Sequence, residues 1–157
     1  MRTKEHELQD LLQFFVAAPN ESLPADLDPS VELGRKSLLA AAGGVKVKVP
    51  PVVVFRVRVP ARAVDRLNDW HYRYSKRAKN LLASMHLEPQ PFIVEVDLRH
   101  DADIVKALLM RLTGHGTFPN VVVQGKTLGG SDDLAHLHEN GELVKILGDA
   151  GVNINVG

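Results

Sequence analysis

Two short stretches hold the residues best suited to chemistry. The first is Gly129-Gly130-Ser131-Asp132-Asp133, read as the junction between a strand and a helix. The glycines let the backbone turn sharply and approach a ligand closely. Ser131 is a good N-cap residue. The first N–H groups of the helix lack intrahelical acceptors and face outward, which makes a small carboxylate or phosphate site. Asp132 could accept a bond from an ammonium group on the same ligand. Carboxylate donors beside an acidic side chain suit the α-amino-acid end of a molecule; the same residues also suit a capped helix that binds nothing. The second stretch, Thr117-Phe118-Pro119-Asn120, leads straight into a strand. Proline is tolerated at a strand's first residue and not inside it. A cis Phe118–Pro119 bond would turn the Phe118 backbone outward, where it could pair with an extended peptide. An ordinary strand-leading proline is the alternative.

Other chemistries are excluded by composition. The 157 residues include no cysteine. That removes disulfides, a thiol nucleophile, cysteine zinc sites and a protein thiolate for an iron–sulfur cluster. His136 and His138 are two apart on a predicted helix and so point to different faces. His115 falls in a turn and His100 before a helix start, so no metal site is expected. There is no phosphate loop and no serine–histidine nucleophile arrangement in a recognisable context. Lys+Arg 19 balance Asp+Glu 19, which argues against a nucleic-acid binder built on phosphate neutralisation. Lys76-Arg77-Ala78-Lys79 reads as a solvated helix face. No apolar run reaches the length of a membrane span, and Met1–Asp10 lacks a signal-peptide core. The chain is expected to be soluble, with one globular domain and an extra arm.

Several elements position these residues. Residues 1–49 form an N-terminal helical arm and linker. Leu8, Leu11, Leu12, Phe15 and Val16 recur at helical spacing between Lys4 and Ala18. Pro19, Pro24 and Pro29 break the pattern, and a second short helix is expected over Leu33–Ala42, ended by Gly43-Gly44. The domain proper occupies 50–157. Val52-Val53-Val54-Phe55 is a buried strand. Ser75–Met85 is a helix striped by Ala78, Leu81, Leu82 and Met85. Phe92–Leu98 is a strand, and Asp101–Leu112 a helix that Asp101 or Asp103 could cap. Asn120–Gln124 is a strand, Gly125-Lys126 a tight turn and Thr127-Leu128 the return strand. Ser131–Glu139 and Glu142–Asp149 are closing helices split by Asn140-Gly141. A strand–helix–strand unit followed by a hairpin and a helix implies an α/β fold with a mixed central sheet and helices on both faces.

Read together, Thr117-Phe118-Pro119-Asn120-Val121-Val122-Val123 and Gly129-Gly130-Ser131-Asp132-Asp133-Leu134 resemble the T-V-P-N-V…G-G-x-D-D segment of the glutaredoxins. His138-Glu139-Asn140-Gly141-Glu142-Leu143 resembles the usual continuation. Tyr74-Ser75-Lys76-Arg77-Ala78-Lys79 is similar to the end of a C-P-Y-S-K-R-A-K active-site helix. That wording resembles the monothiol glutaredoxins of fungal secretory membranes, and the likeness covers about Pro51 to Gly151. The resemblance implies a thioredoxin-like fold with a four-stranded sheet. It implies a thiol–disulfide oxidoreductase lineage in redox homeostasis, with glutathione as the ligand, glutathionylated proteins as partners of an intact form, and a secretory-pathway location. By resemblance the glutathione site comprises Tyr74, Thr117, Phe118, Pro119, Gly130, Ser131 and Asp132. Phe118 would pair with the tripeptide, and Gly130, Ser131 and Asp132 would hold its γ-glutamyl end.

His71-Tyr72-Arg73-Tyr74-Ser75 falls on x-C-P-Y-S, so Tyr72 stands at the nucleophile position and Ser75 at the motif's end. The strand-end Ser-Lys is replaced by Arg56-Val57. The chemistry is thiolate attack on a mixed disulfide, and neither a tyrosine hydroxyl of pKa about 10 nor Ser75 can supply it. No catalytic residue and no iron–sulfur cluster are therefore expected. The segment 56–74 holds half of the arginines, the only tryptophan (Trp70) and both tyrosines. It is long for a strand-to-helix connection and lacks clear periodicity. It reads as a foreign insertion, with a gene-model error as one source; the rival is a binding module whose basic, aromatic loop contacts a partner.

Overall fold

The computed structural model describes residues 4–24, 27–30, 47–57 and 66–154, with 66–72 described as backbone only. The expected helix over Leu33–Ala42 lies outside these residues. In chain order the elements are α1 (Lys4–Ala17), β1 (Val52–Arg56), α2 (Arg66–Ser84), β2 (Leu87–Glu88), β3 (Phe92–Glu95), a 3-10 turn (Val96–Leu98), α3 (Ala102–Thr113), β4 (Asn120–Val123), β5 (Lys126–Gly129), α4 (Ser131–Glu139), α5 (Glu142–Asp149) and β6 (Asn153–Ile154). Two compact units result. One comprises Met1–Val49 with Arg99–Gly116, the other Pro50–Leu98 with Thr117–Gly157.

In the first unit, α1 buries Leu8, Leu11, Leu12 and Phe15 as its spacing predicts; Phe14 is buried as well. Phe14 and Phe15 meet edge to face at 5.7 Å between ring centroids. Glu7 lies on the same buried side, and its charge is matched by Arg111 of α3 through contacts of 2.9 and 3.2 Å. Such a two-point pair is what makes a buried carboxylate tolerable. Asp101 precedes α3 but does not cap it. Its buried carboxylate instead accepts the Leu23 N–H at 2.7 Å and two Arg99 donors at 2.7 and 2.8 Å. Arg99 also donates to the carbonyls of Pro19 and Glu21 and stacks over the Phe15 ring at 4.6 Å. Long-range demands on Asp101 therefore override the capping role that its position suggests.

The second unit is built on a four-stranded mixed sheet in the order β3-β1-β4-β5. β1 runs parallel to β3 and antiparallel to β4. All five residues of β1 are buried, which is why its sequence is continuously apolar up to Arg56. Val52 and Val54 from β1 and Val121 and Val123 from β4 share one face by the two-residue period. That face packs with Ala78, Leu82 and Met85 of α2, Leu134 of α4, and Leu143 and Leu147 of α5. The strand expected over Phe92–Leu98 stops at Glu95. Its ladder partner among the described residues, β1, ends at Arg56 opposite Glu95, so Val96–Leu98 coils into a 3-10 turn. The hairpin turn sits at Gln124-Gly125 instead of Gly125-Lys126. Both central residues take positive φ, 48° and 80°, as a two-residue hairpin requires. A small β2–β6 sheet has no counterpart in the sequence reading, because two-residue strands carry no period.

The helix expected from Ser75 begins nine residues earlier, at Arg66. No glycine or proline interrupts Arg66–Ser84, so nothing in the chain stops the helix from extending upstream. In the segment 56–74, Arg56 ends β1 and 66–74 form the opening turns of α2, while 58–65 lie outside the described residues.

Candidate functional site

The sheet register gathers the motif residues at one end of the second unit. Phe55 pairs with Asn120, and Val121 with Gly129. The end of β1, the start of β4 and the end of β5 thus coincide, and α4 starts one residue beyond β5. Arg56, where a strand-end Ser-Lys was missing, donates to Glu95 at 2.8 Å across the parallel pair.

Gly129 has φ +90°, and a Cβ there would collide with the Asp133 carboxylate. The site needs glycine both for its backbone angle and to leave room for that carboxylate. Gly130 is the N-cap and Ser131 the first helical residue, one position further in than the sequence reading placed it. Capping comes instead from Asp133, whose carboxylate accepts the Gly130 N–H at 3.0 Å. With that role filled, Ser131 Oγ is buried with no hydrogen-bond partner. Asp132 points outward and is ion-paired with Arg77 of α2 at 3.2 Å.

Phe118 and Pro119 are buried, Thr117 is exposed, and the Phe118–Pro119 bond is cis. Asn120 is fully buried. Its side-chain oxygen accepts the Thr127 hydroxyl at 2.7 Å, and Thr127 Oγ1 accepts the Gly129 N–H at 3.0 Å. Thr127 thereby fixes the strand after Pro119 to the turn before α4. The sequence reading missed this residue; its signal was a short hydroxyl side chain two positions before an obligatory glycine.

Tyr72 lies within α2, in the part described as backbone. Tyr74 is half-buried on the same helix. Ser75 is fully buried, and its hydroxyl accepts the Val57 N–H at 3.1 Å. It holds the chain leaving β1 against α2. His136 and His138 are both exposed on α4. A groove of about 640 Å³ at the far end of α2, lined by Lys79, Leu82, Leu87, Pro91 and Ile93 among others, includes none of the residues assigned to the glutathione site.

This architecture defines a thioredoxin-like α/β protein with a helix N-terminus and a cis-proline loop at one end of its sheet. The sequence model described as Glutaredoxin matches residues 52–128. A glutaredoxin of Ricinus communis is 32% identical over 93 residues, covering 59% of this chain and 89% of its own. Monothiol glutaredoxin-S6 of Oryza sativa is 46% identical over 77 residues, 49% of this chain and 57% of that relative. The crystal structure of a buckwheat glutaredoxin–glutathione complex superposes with a TM-score of 0.50 at 30% identity, over 64% of this chain and 79% of that one. The chain belongs to the glutaredoxin family. It spans only 57% and 54% of the length of two rice relatives, Monothiol glutaredoxin-S6 and Glutaredoxin-C8. These relatives are plant proteins and give the fungal subgroup no support. Among the described residues, no helix is long and apolar enough to cross a membrane.

Proposed function

We propose that this chain is a glutathione-binding member of its family that performs no thiol–disulfide turnover of its own. The carrying observation is the α4 N-terminus: Gly130, Ser131 and Asp132 present a helix start and an exposed carboxylate in a chain without cysteine. The two features fit opposite ends of one amino-acid group. The N–H groups suit a carboxylate, and Asp132 suits an ammonium. Tyr74, Thr117, Phe118 and Pro119 complete the site, with the Phe118 backbone pairing with the tripeptide. The buckwheat complex is the precedent for glutathione on this fold. Tyr72 occupies the nucleophile's place and supplies no thiolate, so glutathionylated proteins would be bound here and not reduced. The test is a glutathione titration followed by amide NMR. Shifts at Phe118 and Ser131 are expected in the millimolar range, and none at that concentration overturns the reading.

A second reading concerns 56–74 as inserted sequence. It is supported by the basic, aromatic composition of the segment. A transcript that encodes Arg56–Tyr74 without interruption removes it.

A further inference from the structure

The ion pair at the entrance to α4 suggests how the amino-acid end of the ligand is read. Arg77 Nη1 donates to Asp132 Oδ1 at 3.2 Å, with the two side chains 56% and 74% exposed. Arg77 comes from α2 and Asp132 from the first turn of α4, so the pair spans two helices beside Gly130 and Ser131. We propose that Arg77 is a specificity-determining residue that takes the α-carboxylate of the γ-glutamyl end while Asp132 takes its ammonium. This rests on the glutathione reading above.

The argument is one of charge exchange. The γ-glutamyl end carries an ammonium and a carboxylate on a single carbon. The protein offers the two opposite charges already in contact. An exposed pair is held weakly and opens readily. When the zwitterion enters, one ion pair is replaced by two and no charge is left unmatched. The guanidinium is suited to this because its planar fork matches a carboxylate. Its other donors have no partner among the described residues. The N–H groups of Ser131 and Asp132 lack intrahelical acceptors and extend the same carboxylate site, to which the helix dipole adds. Ser131 Oγ, buried and without a partner, shows independently that the protein alone leaves this turn incompletely satisfied. The alternative is that Arg77 merely occupies Asp132 and competes with the ligand's ammonium; that alternative has the opposite sign.

The test compares two ligands and two proteins. Affinities for glutathione and for its analogue lacking the α-carboxylate (4-aminobutanoyl-cysteinylglycine) are measured by amide NMR for the unmodified chain and for Arg77→Gln. Gln keeps the helix propensity of this exposed position, and the amide spectrum verifies folding. Arg77→Gln is expected to weaken glutathione by about two- to fivefold and not to weaken the analogue, whose ammonium then finds Asp132 already free. Arg77→Lys should fall between. Tighter glutathione binding, an unchanged glutathione affinity, or an equal loss for both ligands overturns the assignment while the glutathione reading stands. Absence of glutathione binding by the unmodified chain overturns both.

Discussion

The Ser75 hydroxyl accepts the Val57 N–H at 3.1 Å, and both residues are buried. This bond pins the chain leaving β1 to the middle of α2, at the last position of the family's motif. Replacing Ser75 with Ala leaves a buried N–H without an acceptor, which costs about 1–3 kcal/mol. Ser75→Ala should lower the unfolding free energy by that amount, seen as a lower urea midpoint. An unchanged midpoint would show that water or another acceptor reaches Val57.

Gly129→Ala tests the turn before α4. Its φ of +90° disfavours any side chain, and a Cβ would displace the Asp133 carboxylate that caps Gly130. Strain and cap loss together are worth about 2–3 kcal/mol. The variant should be destabilised by that much and lose amide protection at Gly130. Full retention of both would mean that the turn can be rebuilt without the cap.

Most of this framework was legible because it rests on short-range signals. The apolar run at Val52–Phe55 and the apolar spacing of α1 follow directly from burial and period. Errors arose where one residue answers to a distant one. Asp101, read with Asp103 as a candidate cap, instead accepts from Leu23 far along the chain as well as from Arg99; the Ser131 reading differs by a local shift, since Asp133 three residues on caps Gly130. The start of α2 was misplaced because Ser75 resembles a helix start locally, and its bond to Val57 has no signature in sequence spacing. At the site, the Gly-Gly-Ser-Asp and Phe-Pro segments were legible. Arg77 was visible only as one of several surface cations until its contact with Asp132 was known.

Asp101 makes the first unit sensitive to acid. Burial pushes its carboxyl up, but the Arg99 guanidinium and the Leu23 N–H outweigh this and hold it below the ordinary value. The folded state therefore binds its proton more weakly than the unfolded chain, whose aspartates titrate near about pH 3.9. The resulting stabilisation is complete above that pH and is lost as pH falls through the folded-state value. Asp101→Asn should be less stable than the unmodified protein at neutral pH, and the gap should close below about pH 4. A constant gap in urea midpoints from neutral pH to about pH 3 would exclude this linkage.

Asp132→Ala separates the ammonium contact from the helix N-terminus. Removing the carboxylate should weaken glutathione severalfold, since a charge-assisted bond is lost, while the fold is unaffected because Asp132 is exposed. Unchanged affinity would remove Asp132 from the site.

Restoring a cysteine at the motif position should not restore the reaction. In Tyr72→Cys the thiol would sit inside α2, which begins at Arg66 and runs to Ser84. Helix N-termini lower a thiol's pKa because their unsatisfied N–H groups face the sulfur. That influence is confined to about the first turn, and Tyr72 is well past it. Lys76, four residues on, is one exposed cation and a weak substitute. The introduced thiol should therefore titrate closer to the free value of about 8.5 than to the range of about 3.5–7.5 seen at activated sites. Alkylation rates measured against pH would report this directly, and reduction of a glutathionyl mixed disulfide should remain near background. A thiol titrating below about pH 7, or robust turnover, would show that the α2 start does not govern reactivity at this position.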